Sequence, residues 1–281
     1  CCSDRANRPA RAVPRRLTRT ARTTSPAVDL SIPAAQLMGF TLALVRTTAW
    51  VTICPPFNSP AIPRRVRVGF AGAVSLLVAA RFTAVFEVDV GLGEFVVILL
   101  GQMIAGLALG FFVFILFAAI QSAGELIDLQ VGFALGAVLD PLTGTAAAPI
   151  GRLHQLLAVT VLFAIDGHTL VVRGYLRSVE AMPVATVDLG RIADELLGLF
   201  SAFFIAAIEI GLPVLAALFL AEIALGLLGK AAPQMNILIL GFAAKSFIAV
   251  GLLAMMVVAM PDSVDSLLMR SLRAAGRAFG G

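Results

Sequence analysis

The amino-acid sequence predicts an all-α protein that crosses a membrane several times. Of its 281 residues, 59% are hydrophobic and 14% are charged, whereas a soluble domain has roughly 25% charged residues. A soluble helical protein of this length needs many more charges to cover its surface. The apolar residues are also grouped into runs, some of which reach the ~20 residues that a helix needs to span a bilayer. Together these observations predict a polytopic membrane protein with about six long apolar helices, some of them kinked or hairpin-like.

The apolar runs justify the predicted helices in order. They cover residues 34–54, 66–80, 95–120, 155–172, 196–228 and 235–260. The third and sixth runs are long enough for a full crossing, whereas the second, which ends at Arg81, is short for one. The fifth run is too long for one straight crossing and contains Pro213, which removes a backbone hydrogen bond. We therefore expect either one long bent helix or two half-helices there.

Two pairs of glycines indicate close packing between helices. Gly106 and Gly110 form one pair, and Gly132 and Gly136 form the other. Small residues four positions apart allow two helix backbones to approach closely. We therefore expect tight helix packing at both pairs.

The two ends of the chain differ from the apolar region. Residues 1–30 contain seven arginines and two aspartates among many prolines and threonines, a composition that predicts disorder. They are either a basic arm that binds anionic lipid or, since the chain begins with Cys, an upstream extension or a mis-started reading frame. We expect a folded helical domain over 31–265 and a short basic tail over 266–281.

Several ionisable and polar residues lie inside or at the rims of the apolar runs. In membranes such residues usually face the bundle interior, where they mark ion pathways or form pairs. Asp166 and His168 are candidates for a proton relay, but no acidic residue recurs along one helix face as a relay requires. We therefore favour pairing between helices and between subunits. The residues expected to take part are Arg46, Glu125, Asp128, Asp166, His168, Glu209, Glu222, Lys230, Gln234 and Lys245.

One stretch, 124–149, combines apolar character with features that lipid does not tolerate. It carries Glu125, Asp128 and Asp140 together with four glycines. A bare carboxylate at membrane depth costs at least about 2.5 kcal/mol, and irregular backbone there needs protein or a water-filled cavity around it. The stretch is therefore predicted to line or plug a cavity inside a membrane assembly.

Five landmarks along the chain resemble those of one known family, in the same order. They are the proline-rich and basic loop at 55–69, the acidic segment at 124–133, Asp140-Pro141, the turn at 163–168 with Met182-Pro183 downstream, and the segment 224–245 that contains Ala232-Pro233-Gln234. Together they cover about residues 34–262. On these residues the chain resembles the FliR/SctT family of type III export-gate proteins. The Asp166-Gly167-His168 turn is similar to that of the flagellar members.

The resemblance implies a core pore subunit of the flagellar type III export gate, in the bacterial inner membrane at the flagellar basal body. It implies a FliP-like part followed by a FliQ-like hairpin, with FliP and FliQ as partners, FlhB around the cytoplasmic mouth and FlhA below. The cargo would be unfolded rod, hook and filament proteins. A pore subunit in contact with membrane lipid is not an enzyme, and the resemblance implies no cofactor, metal or nucleic acid.

The resemblance also implies that residues around 130–149 form a plug that projects into the pore. Apolar side chains would seal the resting pore, and glycines would let the segment swing aside. Shortening 130–136 would then leak ions. The residues assigned to this plug are Gln130, Gly132, Phe133, Leu135, Gly136, Val138, Asp140, Pro141 and Pro149.

Three other functions remain open from the sequence. A secondary transporter would use the segment 209–222 as a broken helix near the bilayer midplane, but the two halves of the chain show no convincing repeat. An intramembrane enzyme would need a catalytic constellation, whereas His154 and His168 stand apart and neither H-E-x-x-H nor G-x-S-x-G occurs. An injectisome member of the same family would export effectors in place of flagellar subunits.

Overall fold

Seven α-helices account for nearly all of the residues that the structure describes. The structure is a computed structural model, and it describes residues 34–55, 57–59, 62–83, 91–133, 148–182 and 188–280. The helices are α1 (Ala34–Ile53), α2 (Arg64–Thr83), α3 (Leu92–Val131), α4 (Pro149–Ala164), α5 (Gly167–Ala181), α6 (Leu189–Ala231) and α7 (Ile237–Gly280). No strand occurs within these ranges. The predicted all-α class is therefore confirmed.

The described residues form seven helices instead of about six, because the fourth apolar run is divided. Asp166 has a left-handed backbone, with φ of 57°, a conformation that a right-handed helix cannot contain. The chain therefore leaves α4 and starts α5 at a bend of 78°. The predicted turn at Asp166-Gly167-His168 is confirmed. The Asp166 side chain makes no capping hydrogen bond, and Thr169 instead donates to the Asp166 carbonyl oxygen.

Four described helices are long and apolar enough to cross a membrane. They are α2, α3, α6 and α7, and the bent pair of α4 and α5 gives a fifth span if it is counted as one. The helix α1 is not among them; it packs against α2 and α3. These spans agree with a multi-pass membrane protein.

The two C-terminal helices form a long hairpin. At about 1.5 Å of rise per residue, the 43 residues of α6 and the 44 residues of α7 each extend about 65 Å, roughly twice the ~30 Å hydrocarbon core of a bilayer. Residues 232–236 connect the two helices, which pack against each other. The helix α6 is continuous through Pro213. Of the two predicted alternatives for the fifth run, the structure thus has the single long helix.

The helix α7 continues through the segment predicted as a basic tail. Leu268, Ala274 and Phe279 are buried, and the Phe279 ring meets that of Phe112 in α3 edge to face. Apolar residues recur at helical spacing among the arginines of this segment, so it packs on α3 instead of separating from the domain. The predicted extension at 1–30 lies outside the described residues.

The helix α3 is central, because α1, α4, α6 and α7 all pack against it. At Gly106 an added Cβ would overlap the carbonyl oxygen of Arg46 in α1, and at Gly110 it would lie 2.9 Å from that of Trp50. The first glycine pair therefore packs as predicted. Of the second pair, Gly132 ends α3 and Gly136 lies outside the described residues, so the expected packing of this pair stays a prediction.

Candidate functional site

The helix α3 reaches further into the predicted plug than the sequence suggested. It is regular through Val131, and Gly132 ends it with a left-handed φ of 105°. The amides of Gly132 and Phe133 donate to the Asp128 carbonyl oxygen at 3.1 and 3.0 Å. Ile127 and Val131 are buried on one helix face, so packing keeps the segment helical despite its charges. Gln130, the first residue of the predicted plug, therefore belongs to the last turn of α3 and not to a loop.

Most of the predicted plug lies outside the described residues. This applies to Leu135, Gly136, Val138, Asp140 and Pro141, which fall within 134–147. The described residues nevertheless define the two ends of the segment.

Asp128 joins the two ends of the 134–147 segment. Its carboxylate accepts hydrogen bonds from the amides of Ile150 at 3.1 Å and Gly151 at 2.8 Å. Pro149 begins α4, and the next two amides belong to the first helical turn, where no intrahelical carbonyl is available. The carboxylate therefore caps α4 from a different helix. Asp128 is 2% exposed, so water does not compete for these bonds.

Close backbone contact between α3 and α4 supports these hydrogen bonds. A Cβ at Gly124 would lie 2.7 Å from the Cα of Gly151, and one at Gly151 would lie 2.7 Å from the Cγ of Glu125. Glycine at both positions lets α3 and α4 approach until the Asp128 carboxylate reaches the α4 amides. His154 is fully buried beside them, with Nδ1 2.9 Å from the Ile150 carbonyl oxygen.

The end of α3 is also tied to the hairpin. Gln130 donates through Nε2 to Glu222 of α6 at 2.7 Å, and Lys245 of α7 donates to the Gln130 carbonyl oxygen at 3.3 Å. Lys245 and Glu222 form an ion pair at 3.5 Å. The Phe133 ring packs edge to face on Phe242, with 5.6 Å between centroids. Four predicted residues therefore meet where the segment begins.

A small apolar core lies beneath these polar contacts. It joins the end of α3, the start of α4 and the middle of both hairpin helices. Its buried members are Ile127, Val131, Ile150, Val214, Leu218, Ala249 and Leu253. Both ends of the segment are thus fixed to the same group of helices. We call the polar contacts of Asp128, Gln130, Glu222 and Lys245 that fix them the clamp.

Arg46 forms a second buried polar site, and its partners differ in kind from those predicted. The guanidinium donates to Gln102 Oε1 at 3.0 Å, to the carbonyl oxygens of Ser178 at 2.9 Å and Met182 at 2.7 Å, and to the Ser178 hydroxyl at 3.1 Å. Within the described ranges no carboxylate pairs with it. A cation at a helix C-terminus interacts favourably with the terminal carbonyls. Arg46 therefore caps α5 and links it to α1 and α3.

The other predicted pairing residues are not brought together. Glu125 accepts a hydrogen bond from Gln121 of its own helix, and the His168 ring packs on Phe163, 4.9 Å between centroids. The remaining four predicted residues are exposed, and none of them takes part in an ion pair in the described part of the chain. They are Asp166, Glu209, Lys230 and Gln234.

Some polar contacts were missed from the sequence. Thr47 and Tyr175 share a buried hydrogen bond of 2.6 Å beside Arg46, and the Tyr175 ring stacks on Trp50 with 4.5 Å between centroids. Arg277 makes two bonds of 2.7 Å to Glu195. Tyr175 and Trp50 are the single tyrosine and the single tryptophan of the chain, which is the one sequence signal that distinguishes them.

The described residues contain no group of three or more His, Cys, Asp or Glu side chains that could hold a metal ion. What the site offers chemically is a set of hydrogen bonds and apolar contacts that fix the two ends of a connecting segment.

Comparisons with known proteins agree on one family. A family model described as bacterial export proteins, family 1, matches residues 37–271. The flagellar biosynthetic protein FliR of Pectobacterium carotovorum is 30% identical over 230 residues, which are 79% of this chain and 85% of that protein. The FliR protein of Bacillus subtilis is 28% identical over 210 residues, covering 73% and 81% of the two chains.

A translocation protein from Yersinia is similar to a comparable degree. The Yop proteins translocation protein T of Yersinia pestis is 28% identical over 217 residues, covering 76% of this chain and 83% of that protein. The family match extends from the start of α1 into the last third of α7 and includes every residue of the clamp. The predicted resemblance is confirmed: the chain belongs to family 1 of the bacterial export proteins, the FliR/SctT family of type III secretion systems.

Proposed function

We propose that the chain is a core pore subunit of a flagellar type III export gate in the bacterial inner membrane. The observation that carries this proposal is the clamp around 134–147 in a protein of an export family. Asp128 caps α4 on one side of the segment, and Gln130, Glu222 and Lys245 hold the other side. A segment with two fixed ends can project into a pore and move without releasing its base.

The gate would contain FliP and FliQ as partners, with FlhB at its mouth and FlhA below. The helices α1–α5 would form the FliP-like part, and α6 with α7 would form the FliQ-like hairpin. The low burial of the hairpin supports such assembly: 28% of the apolar window of α6 and 11% of that of α7 are buried within the chain. Glu209 and Lys230 are exposed on α6, and in lipid a charge of this kind costs about 2.5–3.5 kcal/mol. Partner subunits would supply the missing contacts.

In the resting gate, Phe133, Leu135 and Val138 would close the pore by apolar contact. The Phe133 ring already packs on Phe242 of α7, which places the first of these side chains against the hairpin. Gly136 would let the segment swing aside for an unfolded rod, hook or filament protein. The chain would perform no chemistry, and its role would be to form and close the passage.

Polar substitution within the segment tests this proposal. In cells that express the whole gate, Leu135→Ser with Val138→Ser would weaken the apolar seal, so we expect faster ion entry and dye uptake than in wild type. The matched control is Leu37→Ser with Val66→Ser, since Leu37 and Val66 are both exposed and belong to α1 and α2, outside the segment that is proposed to seal the pore. Unchanged permeability in the first variant, with the gate assembled, would contradict a sealing role.

A second candidate is an injectisome export component, which the Yersinia relative favours. The two candidates differ in cargo and share the same gate mechanism. Deletion of the gene distinguishes them: loss of swimming and of secreted filament protein, both restored by the intact gene, supports the flagellar role. Normal swimming with loss of secreted effectors supports the injectisome role.

A further inference from the structure

An apolar groove runs along the hairpin between α6 and α7. It encloses about 380 Å³, and its walls include Pro213 and Val214 of α6 together with Met256 and Met260 of α7. On α7 the lining extends from Leu252 to Arg270, a distance of about 27 Å at ~1.5 Å per residue. One leaflet of a bilayer has a hydrocarbon depth of about 15 Å, so the groove is long enough for an extended acyl chain.

One end of the groove is cationic. Arg270 lines the groove and also an adjoining pocket of about 260 Å³, which Arg273 and Arg277 share. The three arginines recur three and four positions apart, which places them on one face of α7. The apolar groove therefore leads directly into a cluster of guanidinium groups.

Two of these three charges are not neutralised by the described residues. Glu195 takes both of its hydrogen bonds from Arg277. Arg273 donates through Nε to the Met269 carbonyl oxygen of its own helix. Neither Arg270 nor Arg273 has a carboxylate partner in the part of the chain that is described. Both side chains are exposed and keep donors for an anion.

A carboxylate further along the groove makes its two ends differ in charge. Arg270 borders Ala202 and Phe203 of α6, whereas Glu209 lines the groove about 10 Å further along that helix, at ~1.5 Å per residue. An anionic group is attracted to the arginine end and repelled from the Glu209 end. An amphiphile with a negative head therefore fits in one orientation.

We infer that this groove binds an anionic phospholipid, with the phosphate on Arg270 and Arg273 and one acyl chain along the Met256 and Met260 side of the groove. Guanidinium groups match phosphate oxygens in a bidentate geometry, and basic pockets between membrane helices bind anionic headgroups. This site is separate from the clamp at 134–147. It requires only that α7 lies in a membrane, so it stands independently of the gate proposal.

Native mass spectrometry of the full chain in detergent tests the inference. The protein is mixed with phosphatidylglycerol or with phosphatidylcholine of the same acyl chains, and bound lipid is counted. We expect preferential retention of phosphatidylglycerol, and a loss of roughly 30-fold in its affinity in the Arg270→Gln, Arg273→Gln double variant. The control is Arg64→Gln with Arg65→Gln, which removes the same charge from exposed arginines at the start of α2 and should leave the affinity unchanged.

A second pair of variants tests the groove separately from the charges. Ala259 lines the groove, whereas Ala254 is exposed on α7 outside it. Ala259→Trp should displace the acyl chain and reduce lipid retention, and Ala254→Trp should not. Soluble glycerol phosphate should bind far more weakly than the lipid, because it has no acyl chain.

Several outcomes would overturn the inference. These are equal retention of the two lipids, an arginine double variant that keeps the wild-type affinity, or glycerol phosphate that binds as well as the lipid. A dimer that Ala259→Trp dissociates, with no lipid bound, would show that a second copy of the chain fills the groove instead.

Discussion

Replacement of Asp128 by alanine would release the start of α4 from α3. The side chain accepts two hydrogen bonds from backbone amides, at 3.1 and 2.8 Å, and is 2% exposed. Hydrogen bonds to a charged group contribute about 1.5–3 kcal/mol each, and the cost of burying the carboxylate offsets part of that sum. We therefore expect Asp128→Ala to reduce the free energy of unfolding by about 2–4 kcal/mol. Asp128→Asn keeps one acceptor oxygen but turns an NH2 donor toward the second amide N–H, so its loss should approach that of Asp128→Ala.

Thermal unfolding of the detergent-purified protein measures this loss. For a chain of this size, 1 kcal/mol corresponds to about 2–4 °C, so Asp128→Ala should lower the midpoint by at least about 4 °C. Protease cleavage near 148–151 should also become faster, because these amides lose their partner.

Glu94→Ala is the matched control, since it removes a carboxylate from the opposite end of the same helix. Glu94 is exposed in the first turn of α3 and forms no ion pair among the described residues. Its substitution should shift the midpoint by less than about 2 °C. Equal shifts for the two variants would refute the clamp.

Three further predictions concern the packing around the site. Arg46→Met leaves buried carbonyls at the end of α5 without donors, so the melting midpoint should fall by an amount equal to about 2–5 kcal/mol, and an unchanged midpoint would contradict the capping role. Gly106→Leu would put its side chain where the α1 backbone lies and should abolish recovery of folded protein. Gly72→Leu should not, because a Cβ at Gly72 would have no neighbouring atom within 4 Å. Lys245→Met should cost under about 1 kcal/mol, since its partner Glu222 is 55% exposed; a larger loss would show a stronger contact.

The all-α membrane class, most helix positions and the turn at Asp166 followed from the sequence. Runs of apolar residues mark helices because each backbone must satisfy its own hydrogen bonds in lipid. The division of the fourth run could not be placed to the residue from hydropathy, since apolar residues continue on both sides of the break. It depends on the left-handed backbone of Asp166, which hydropathy does not report.

The charged residues of the clamp could be predicted from the sequence, but not all of their partners could. Asp128, Glu222 and Lys245 stand out in the sequence because charges inside apolar runs need partners. Lys245 and Glu222 are partners of each other, but the partners of Asp128 and Arg46 do not stand out, because they are mainly backbone groups, which every residue carries. A search for opposite charges therefore finds the Lys245–Glu222 pair and misses the contacts of Asp128 and Arg46.

At Gln130 the sequence predicted a loop where the chain is helical. The glycines and the Asp140-Pro141 break suggested a loop from about residue 130, yet Ile127 and Val131 pack against α6 and α7 in one core. Tertiary packing outweighs the low helix propensity of a single glycine, which costs about 1 kcal/mol. The boundary falls at Gly132, where the chain needs a left-handed residue.

The most direct test of the gate proposal is the mass of the complex that this chain forms. The tagged chain is co-expressed with FliP and FliQ of the same genome, purified in detergent and weighed by native mass spectrometry. The proposal predicts one copy of this chain bound to several FliP and FliQ subunits. A chain that purifies alone as a stable monomer or homodimer, while FliP and FliQ are present in the same membranes, would contradict it.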